Sequence, residues 1–325
     1  MVPLPPSSPA AARAPEAPAF APTAAATLSR PHITVCICTY KRADMLRRLL
    51  EKLAGLVTED AFTYSAVVAD NDAARSAEPV VREVAARVAY ELIYCSEPTK
   101  NIALVRNKTL EHARGEFIAF IDDDEFPVER WLIELLRTCE RQKVGGVLGP
   151  VRPFFDTTPP SWLVKGKFCE RPEHPTGTVM EGGKCRTGNV LFRRSLIAGE
   201  AEPFRREFGT GGEDVDFFLR MNARGHVFAW CNEAPAYESV PPSRWTRRYL
   251  INRALLRGRN NLKLKGTRTR LVLQSCVAVP LYSLVLPFTL LGGQHVFMRY
   301  AIRFCDHAGR ILTVLHLNPV GDRGM

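Results

Sequence analysis

The chain holds nine cysteines but no CxxC pair, so the usual ligand spacing of a zinc site is missing. Their odd number and the strand-like neighbours of Cys36 and Cys38 point to reduced, packed thiols in a cytosolic environment. Near the start there is no apolar core of seven residues, which argues against a secretory signal. Residues 1–30 also lack a periodic apolar face; with seven prolines and ten alanines they are expected to form a flexible tail outside the fold. Acidic residues are missing from 244–270, which carries ten Lys or Arg, and residues 271–298 hold no Asp, Glu, Lys or Arg at all. What remains is ample: 325 residues, 46% hydrophobic and 24% charged, exclude a disordered or fibrous protein and can bury one large α/β domain with appendages.

The net charge of +10 is concentrated in that basic block. A cationic segment abutting a long apolar one suits a juxtamembrane position, because anionic headgroups attract each cation by about 1 kcal/mol. Trp245 and Tyr249 are the only aromatics in the block, too few for the cation and aromatic interleaving of a nucleic-acid surface, so no nucleic-acid partner is expected. Pro280 and Pro287 interrupt the apolar run, which favours a kinked, re-entrant or in-plane arrangement over a straight span. The tail is basic again, with Arg299, Arg303, Arg310 and Arg323 against Asp306 and Asp322, which places both ends on the cytoplasmic side.

From residue 32 onward strands and helices alternate. Strands are predicted at 32–38, 64–69, 91–95, 116–121, 145–151 and 189–193. Helices are predicted at 43–56, with Leu46, Leu49, Leu50 and Leu53 on one face, at 78–88, 102–113 and 128–142, and in a last one that runs through 224. Such alternation gives a mostly parallel sheet whose ligands sit beyond the carboxyl ends of the strands. Three polar clusters fall there: residues 39–42, 70–72 and the triplet Asp122, Asp123 and Asp124. Three adjacent carboxylates repel one another unless a cation neutralises them, and hard Mg²⁺ or Mn²⁺ binds through one or two carboxylates plus substrate phosphates. The clusters together imply one cleft for a nucleoside diphosphate. Residues 152–186, rich in Pro and Gly and carrying Trp162, Lys165 and Lys167, lose all periodicity and are expected to form a mobile or functional insertion, such as a lid. Residues 208–216 then open the last of these helices, with Thr210 or a glycine as its cap. His112, His174 and His226 have no spacing that suggests metal binding.

Six ordered segments resemble the family 2 glycosyltransferases, most closely the bacterial exopolysaccharide branch with the succinoglycan-type enzymes. They are residues 35–42 (VCICTYKR), 68–72 (VADND), 101–107 (NIALVRN), 115–125 (GEFIAFIDDDE), 187–194 (TGNVLFRR) and 211–216 (GGEDVD), within a stretch of about two-thirds of the chain. The resemblance implies a GT-A fold, an α/β, Rossmann-like, mostly parallel sheet flanked by helices, here over 31–243, followed by a basic helical segment at 244–270 and an apolar membrane-associated helical region at 271–325. It implies further that Thr39 and Asp70 help hold the nucleotide base, that Tyr40 and Arg42 belong to the donor site, and that Arg106 lines it. Asp122 would face the ribose with Asp123 beside it, Asp124 would ligate Mn²⁺ or Mg²⁺, and Asp214, in the pair with Glu213, would be the general base. Processive members carry Gln-x-x-Arg-Trp; here Ser243-Arg244-Trp245 keeps only the second half, which favours addition of a single sugar. Trp162, Arg244 and Trp245 are candidate acceptor contacts. The implied partners are a nucleotide-sugar donor, a lipid-linked saccharide acceptor and the cytoplasmic face of the cell membrane. The alternative is a catalytically inactive sugar-nucleotide-binding or scaffold subunit of a membrane assembly complex, against which an intact acidic triplet and base speak.

Overall fold

The computed structural model describes residues 30–262 and 268–317. The expected flexible tail, Arg30 apart, lies outside the described residues, as do Lys263 and Lys265 of the basic block and Asp322 and Arg323 of the tail. In chain order the first half runs β1 (His32–Thr39), α1 (Ala43–Leu53), β2 (Thr63–Asp70), α2 (Glu78–Ala85), β3 (Glu91–Ser96), α3 (Ile102–His112), β4 (Phe117–Ile121), β5 (Glu125–Pro127) and α4 (Trp131–Gln142). The second half continues with β6 (Gly146–Leu148), β7 (Val151–Phe154), α5 (Ser161–Gly166), β8 (Val179–Met180), β9 (Asn189–Arg193), α6 (Glu213–Ala223), β10 (Phe228–Trp230) and β11 (Ala236–Ser239). Three helices close the chain: α7 (Arg247–Asn261), α8 (Arg268–Val285) and α9 (Gln294–Val314).

β1 and β4 are continuous apolar runs because both of their faces are buried. Ile33, Val35 and Ile37 of β1, with Phe117, Ala119 and Ile121 of β4, point into one core layer, which α1, α2 and α4 cover. Cys36, Ile118 and Phe120, one residue out of phase, point into a second layer built with Phe192, Phe204, Phe217 and Phe218. Leu46, Leu49, Leu50 and Leu53 of α1 are fully buried, as their helical spacing predicts, and each contributes about 1.5–3 kcal/mol through burial.

The main sheet has eight strands in the order β3-β2-β1-β4-β9-β6-β10-β8. Its β3-β2-β1-β4 half is parallel, as the alternation of strands and helices predicts. Beyond it the sheet is mixed: β9 runs antiparallel to both β4 and β6, and β8 antiparallel to β10. Two expectations change. The strand predicted over 145–151 is divided between two sheets, β6 in the large one and β7 in a small β5-β11-β7 sheet. Gly149-Pro150 makes the break, because a Cβ on Gly149 would stand 2.3 Å from the Ala234 carbonyl oxygen and proline has no N–H to donate. The 152–186 stretch, expected to be irregular, carries β7, α5 and β8.

The three closing helices pack as a buttress. α7 and α9 cross closely at two glycines: a Cβ on Gly258 would meet the Asp306 carbonyl oxygen at 2.2 Å, and one on Gly309 that of Leu255 at 2.4 Å. Arg257 Nε donates to Asp306 Oδ1 at 2.8 Å across the same contact. Leu163, Leu250 and Met298 form a separate small core that ties α5, α7 and α9 together. The 25-residue segment Arg268–Gly292 is long and apolar enough to cross a bilayer, and almost none of it is buried in the protein.

Candidate active site

The parallel pairing of β1 with β4 sets Cys36 opposite Phe120, so the two strands end side by side. That register brings Thr39 to the acidic triplet, where its hydroxyl donates to Asp123 Oδ2 at 2.8 Å. Arg42, at the start of α1, donates to Asp123 Oδ1 at 2.8 Å and to Asp124 Oδ2 at 3.1 Å. Arg244 arrives from a 3₁₀ turn, Pro242–Trp245, and donates to the same Asp124 oxygen at 2.6 Å and to Glu238 Oε1 at 2.9 Å. In the small sheet Glu238 of β11 is the antiparallel partner of Glu125 of β5. Arg171 answers this facing pair, donating to Glu238 Oε2 at 2.6 Å and standing 3.8 Å from Glu125 Oε1. Arg106 of α3 pairs with Glu213 and lies 3.6 Å from Asp122.

Six carboxylates thus face four guanidiniums, leaving two negative charges in excess when all are ionised. Burial, with neighbouring carboxylates adding to it, raises several of these groups. Burial pushes Asp123 up to about 6 against the pull of Arg42, with Asp124 adding to the rise. Burial likewise carries Glu213 up to about 7 although Arg106 holds it down, consistent with the buried Glu213 Oε2 having no hydrogen-bond partner. Glu125, fully buried beside Asp122, lies well above its ordinary value, and its Oε1 has no hydrogen-bond partner either. Among the described residues no three His, Cys, Asp or Glu side chains converge as a self-sufficient metal site. A hard divalent cation nevertheless fits the donor set: its ligands are all oxygen, it lacks two positive charges, and such ions take most of their remaining ligands from substrate phosphates and water.

Two neighbouring cavities that share part of their lining open at the strand ends. One, of about 580 Å³, is bounded by Thr39, Tyr40, Asn71, Lys100, Asp123 and Asp124. The other, of about 940 Å³, extends past Gly188, Arg186 and Asp214 towards α7 and α9. Asp122, Arg106, Arg171, Glu238, Arg244 and Arg253 line both. Tyr40 forms an aromatic wall with Lys41 and Lys100 nitrogens 5.2 and 5.5 Å from its ring centre.

Thr39, Tyr40, Arg42, Arg106, Asp122, Asp123, Asp124, Glu213 and Arg244 therefore converge on the first cavity. Asp214 faces the second: its Oδ1 accepts from the Val215 amide at 2.7 Å, and its Oδ2 is 3.9 Å from Arg186. Both carboxylates stand at the N-terminus of α6, whose dipole favours negative charge. The cap is Gly212, with φ at 96°, which has no side chain to offer, so the first-turn carboxylate of Asp214 meets the Val215 amide instead. Asp70 lies outside the lining of both cavities. It is fully buried, and its carboxylate accepts from the amides of Asp72 at 2.9 Å and Ala77 at 2.8 Å and from the Tyr94 hydroxyl at 3.2 Å, which pins the loop between β2 and α2. Its neighbour Asn71 lines the first cavity instead. Trp162 and Trp245 pack around the Leu163, Leu250 and Met298 core, away from the lining, with Trp245 Nε1 donating to the Val240 carbonyl at 3.0 Å. Sequence reasoning missed Lys100, Glu125, Arg171 and Glu238 as site residues. Asn71 was legible as the middle of a strand-end polar cluster; the Glu125–Glu238 pairing depends on strand register and left no local signal.

A cleft with an acidic triplet at the end of a parallel strand, walled by cations and facing a carboxylate at a helix N-terminus, defines a sugar-nucleotide-dependent transferase of the GT-A type. The Glycosyl transferase family 2 profile matches residues 34–198, half of the chain, and the chain belongs to that family. It is 32% identical over 303 residues to the succinoglycan biosynthesis protein ExoM of Rhizobium meliloti, an alignment covering 90% of this chain and 96% of that one. It is also 28% identical over 210 residues to the putative glycosyltransferase EpsH of Bacillus subtilis, covering 62% and 58%. Among solved structures, Staphylococcus aureus TarS 1-349 in complex with UDP-GlcNAc superposes with a TM-score of 0.52 at 14% identity, over 89% of this chain and 93% of that one. The mannosyltransferase PcManGT of Pyrobaculum calidifontis, in complex with GDP-Man and Mn²⁺, gives 0.54 at 15% identity, over 90% and 77%. The fold is GT-A, and the protein is an exopolysaccharide-type glycosyltransferase.

Proposed function

We propose that this glycosyltransferase inverts the anomeric configuration and depends on a divalent metal, moving one hexose from a UDP-linked donor to a lipid-linked saccharide at the cytoplasmic face of the membrane. The observation that carries the reading is the division of labour between the two cavities. The cation-rich first cavity holds the acidic triplet, while Asp214 stands in the second, across the shared wall of Asp122, Arg106 and Arg244. A nucleoside diphosphate seated in the first cavity would present its sugar towards that wall. An acceptor hydroxyl in the second would then lie within reach of Asp214, which takes its proton as the oxygen attacks the anomeric carbon from the face opposite the leaving group. Glu213, committed to Arg106, keeps that guanidinium in place. Asp124, with Asp122 beside it, would hold Mn²⁺ or Mg²⁺, which supplies neutralising charge to the departing diphosphate. Tyr40 offers the base a stacking face. The second cavity is walled by Arg253 and Arg257 of α7 and Ile302 of α9, the buttress on which the apolar α8 rests, which suits an acceptor carried on a lipid phosphate.

Calorimetry of nucleotide sugars with and without Mn²⁺, on the detergent-solubilised protein, tests this. One UDP-sugar should bind only with metal, Asp124→Ala should abolish that binding, and Asp214→Asn should retain binding while losing turnover. Metal-dependent binding without turnover on any lipid-linked acceptor would instead mark a scaffold subunit. Absence of any donor binding by the wild type refutes the reading.

A further inference from the structure

We infer that α8 and the 3₁₀ turn after it lie in the plane of one leaflet of an anionic bilayer, as a one-sided anchor, and do not cross it. This rests on the reading of the C-terminal region as membrane-attached.

α8 has two unlike faces. Towards α9 it turns Ser275, whose hydroxyl is 3.0 Å from His307 Nδ1, and Tyr282, whose ring lies 6.0 Å from Tyr300 and 5.8 Å from His307. On the opposite side Leu273, Val277, Leu281 and Leu284 follow one another at three- and four-residue steps, a single helical stripe that Phe288 and Leu291 continue through the 3₁₀ turn Leu286–Gly292. These six side chains are exposed by 56–91%. A contiguous apolar stripe of this length is more than a soluble surface ordinarily leaves uncovered. Ser275 and Tyr282 apart, the side turned to α9 is apolar as well, so what sets the depth of α8 in the bilayer is the helix it packs against.

The partner helix rules out a crossing. α8 and α9 run antiparallel, since Ser275 meets His307 while Tyr282 meets Tyr300, so a spanning α8 would draw α9 into the hydrocarbon alongside it. α9 carries Arg299, Arg303, Asp306 and Arg310, which the bilayer interior penalises heavily. It is also fastened to the soluble domain, through the Arg257–Asp306 pair, the two-glycine crossing with α7 and the Met298 core. Pro280, exposed in the middle of α8, leaves the Cys276 carbonyl without its helical donor. Water satisfies that oxygen readily at the interface, whereas in the acyl region a neighbouring helix or side chain would have to do so.

Charge identifies the lipid. Residues 244–305 contain no Asp or Glu, and Arg247, Arg248, Arg268, Arg270, Arg299 and Arg303 are all exposed around the helix hairpin. Cations flanking an apolar stripe select a surface of phosphatidylglycerol-like headgroups.

The test uses the purified full-length chain and vesicles of phosphatidylglycerol and phosphatidylcholine. An environment-sensitive label is placed by Leu273→Cys, Leu281→Cys and Leu291→Cys in a Cys276→Ser background, and its depth is read by quenching from nitroxide lipids. The in-plane anchor predicts one shallow depth at all three positions. A graded profile, deepest near residue 281 and with residue 291 reached only from the vesicle lumen, overturns it while leaving membrane attachment standing. Failure of the wild type to bind the vesicles overturns both. As an independent check, Leu281→Gln with Leu284→Gln should lower vesicle partition by about tenfold or more, as expected from taking two leucines out of an apolar environment. Sugar-nucleotide binding in detergent should be unchanged in that variant, showing an intact fold; unaltered partition overturns the inference.

Discussion

Replacing Arg244 by alanine removes two charge-assisted hydrogen bonds at once, to Asp124 at 2.6 Å and to Glu238 at 2.9 Å. The side chain is only 15% exposed, and the carboxylates it serves are 8% and 13% exposed, so bulk water replaces little of what is lost. Stripping one partner from a fully buried ion pair costs about 3–5 kcal/mol. Here Asp124 keeps Arg42 at 3.1 Å and Glu238 keeps Arg171 at 2.6 Å. The surviving partners and the partial exposure reduce the expected loss to about 1.5–3 kcal/mol. For a chain of 325 residues that is a fall in Tm of about 2–5 °C. A second consequence follows from charge. With Arg244 gone the cluster has three excess negative charges instead of two, so Mn²⁺ should raise the Tm of Arg244→Ala more than that of the wild type. Arg244→Lys, which keeps the charge but not the forked geometry, should fall between them. Thermal melts in EDTA and in Mn²⁺ decide the matter. An Arg244→Ala protein that melts with the wild type in EDTA, and gains no more from Mn²⁺, would refute both the pairing and the charge deficit.

Asp214→Asn should lower kcat by about 10²–10⁴ with little change in donor affinity, because the amide keeps the shape but takes no proton; a matching loss of donor binding in calorimetry would remove Asp214 from the base role. Glu213 is raised from 4.5 to about 7, so the folded state holds its proton more tightly than the unfolded chain does. Its contribution to stability is complete below pH 4.5 and is lost as pH rises through about 7, a change of about 3 kcal/mol. Glu213→Gln should flatten that slope, and denaturant titrations from pH 5 to 8 that show parallel wild-type and variant curves would disprove it. Gly258→Ala forces a methyl to within 2.2 Å of the Asp306 carbonyl oxygen, so α7 and α9 must part, at a cost of about 1–3 kcal/mol. Limited proteolysis should then cut the C-terminal helices faster, and an unchanged cleavage rate counts against the close crossing.

Much of this protein is written locally. The apolar run of β1, the four leucines of α1, β9 from Asn189 to Arg193 and the acidic triplet at the end of β4 were all legible, because side-chain period and burial on one or both faces are set by neighbours in the chain. The six ordered segments that resemble family 2 also pointed to the family. Tertiary structure decided where the charges meet. Arg244 reaches Asp124 across 120 residues, and Glu238 faces Glu125 only because β11 pairs with β5 in one register. Two expectations for the site shifted for the same reason: Asp70, at a strand end like the other polar clusters, turns inward to hold its own loop, and Trp162 and Trp245 find an apolar core where α5, α7 and α9 converge. The break at Gly149-Pro150 depends on the approach of the Ala234 carbonyl, which no local pattern records. The sequence by itself determined the alternating strands and helices from β1 to α4 and which of those strand ends would be polar. Only the fold decided which of those polar groups share a cavity, since pairing between distant carboxylates and guanidiniums follows from strand register and helix packing, and these are properties of the assembled chain.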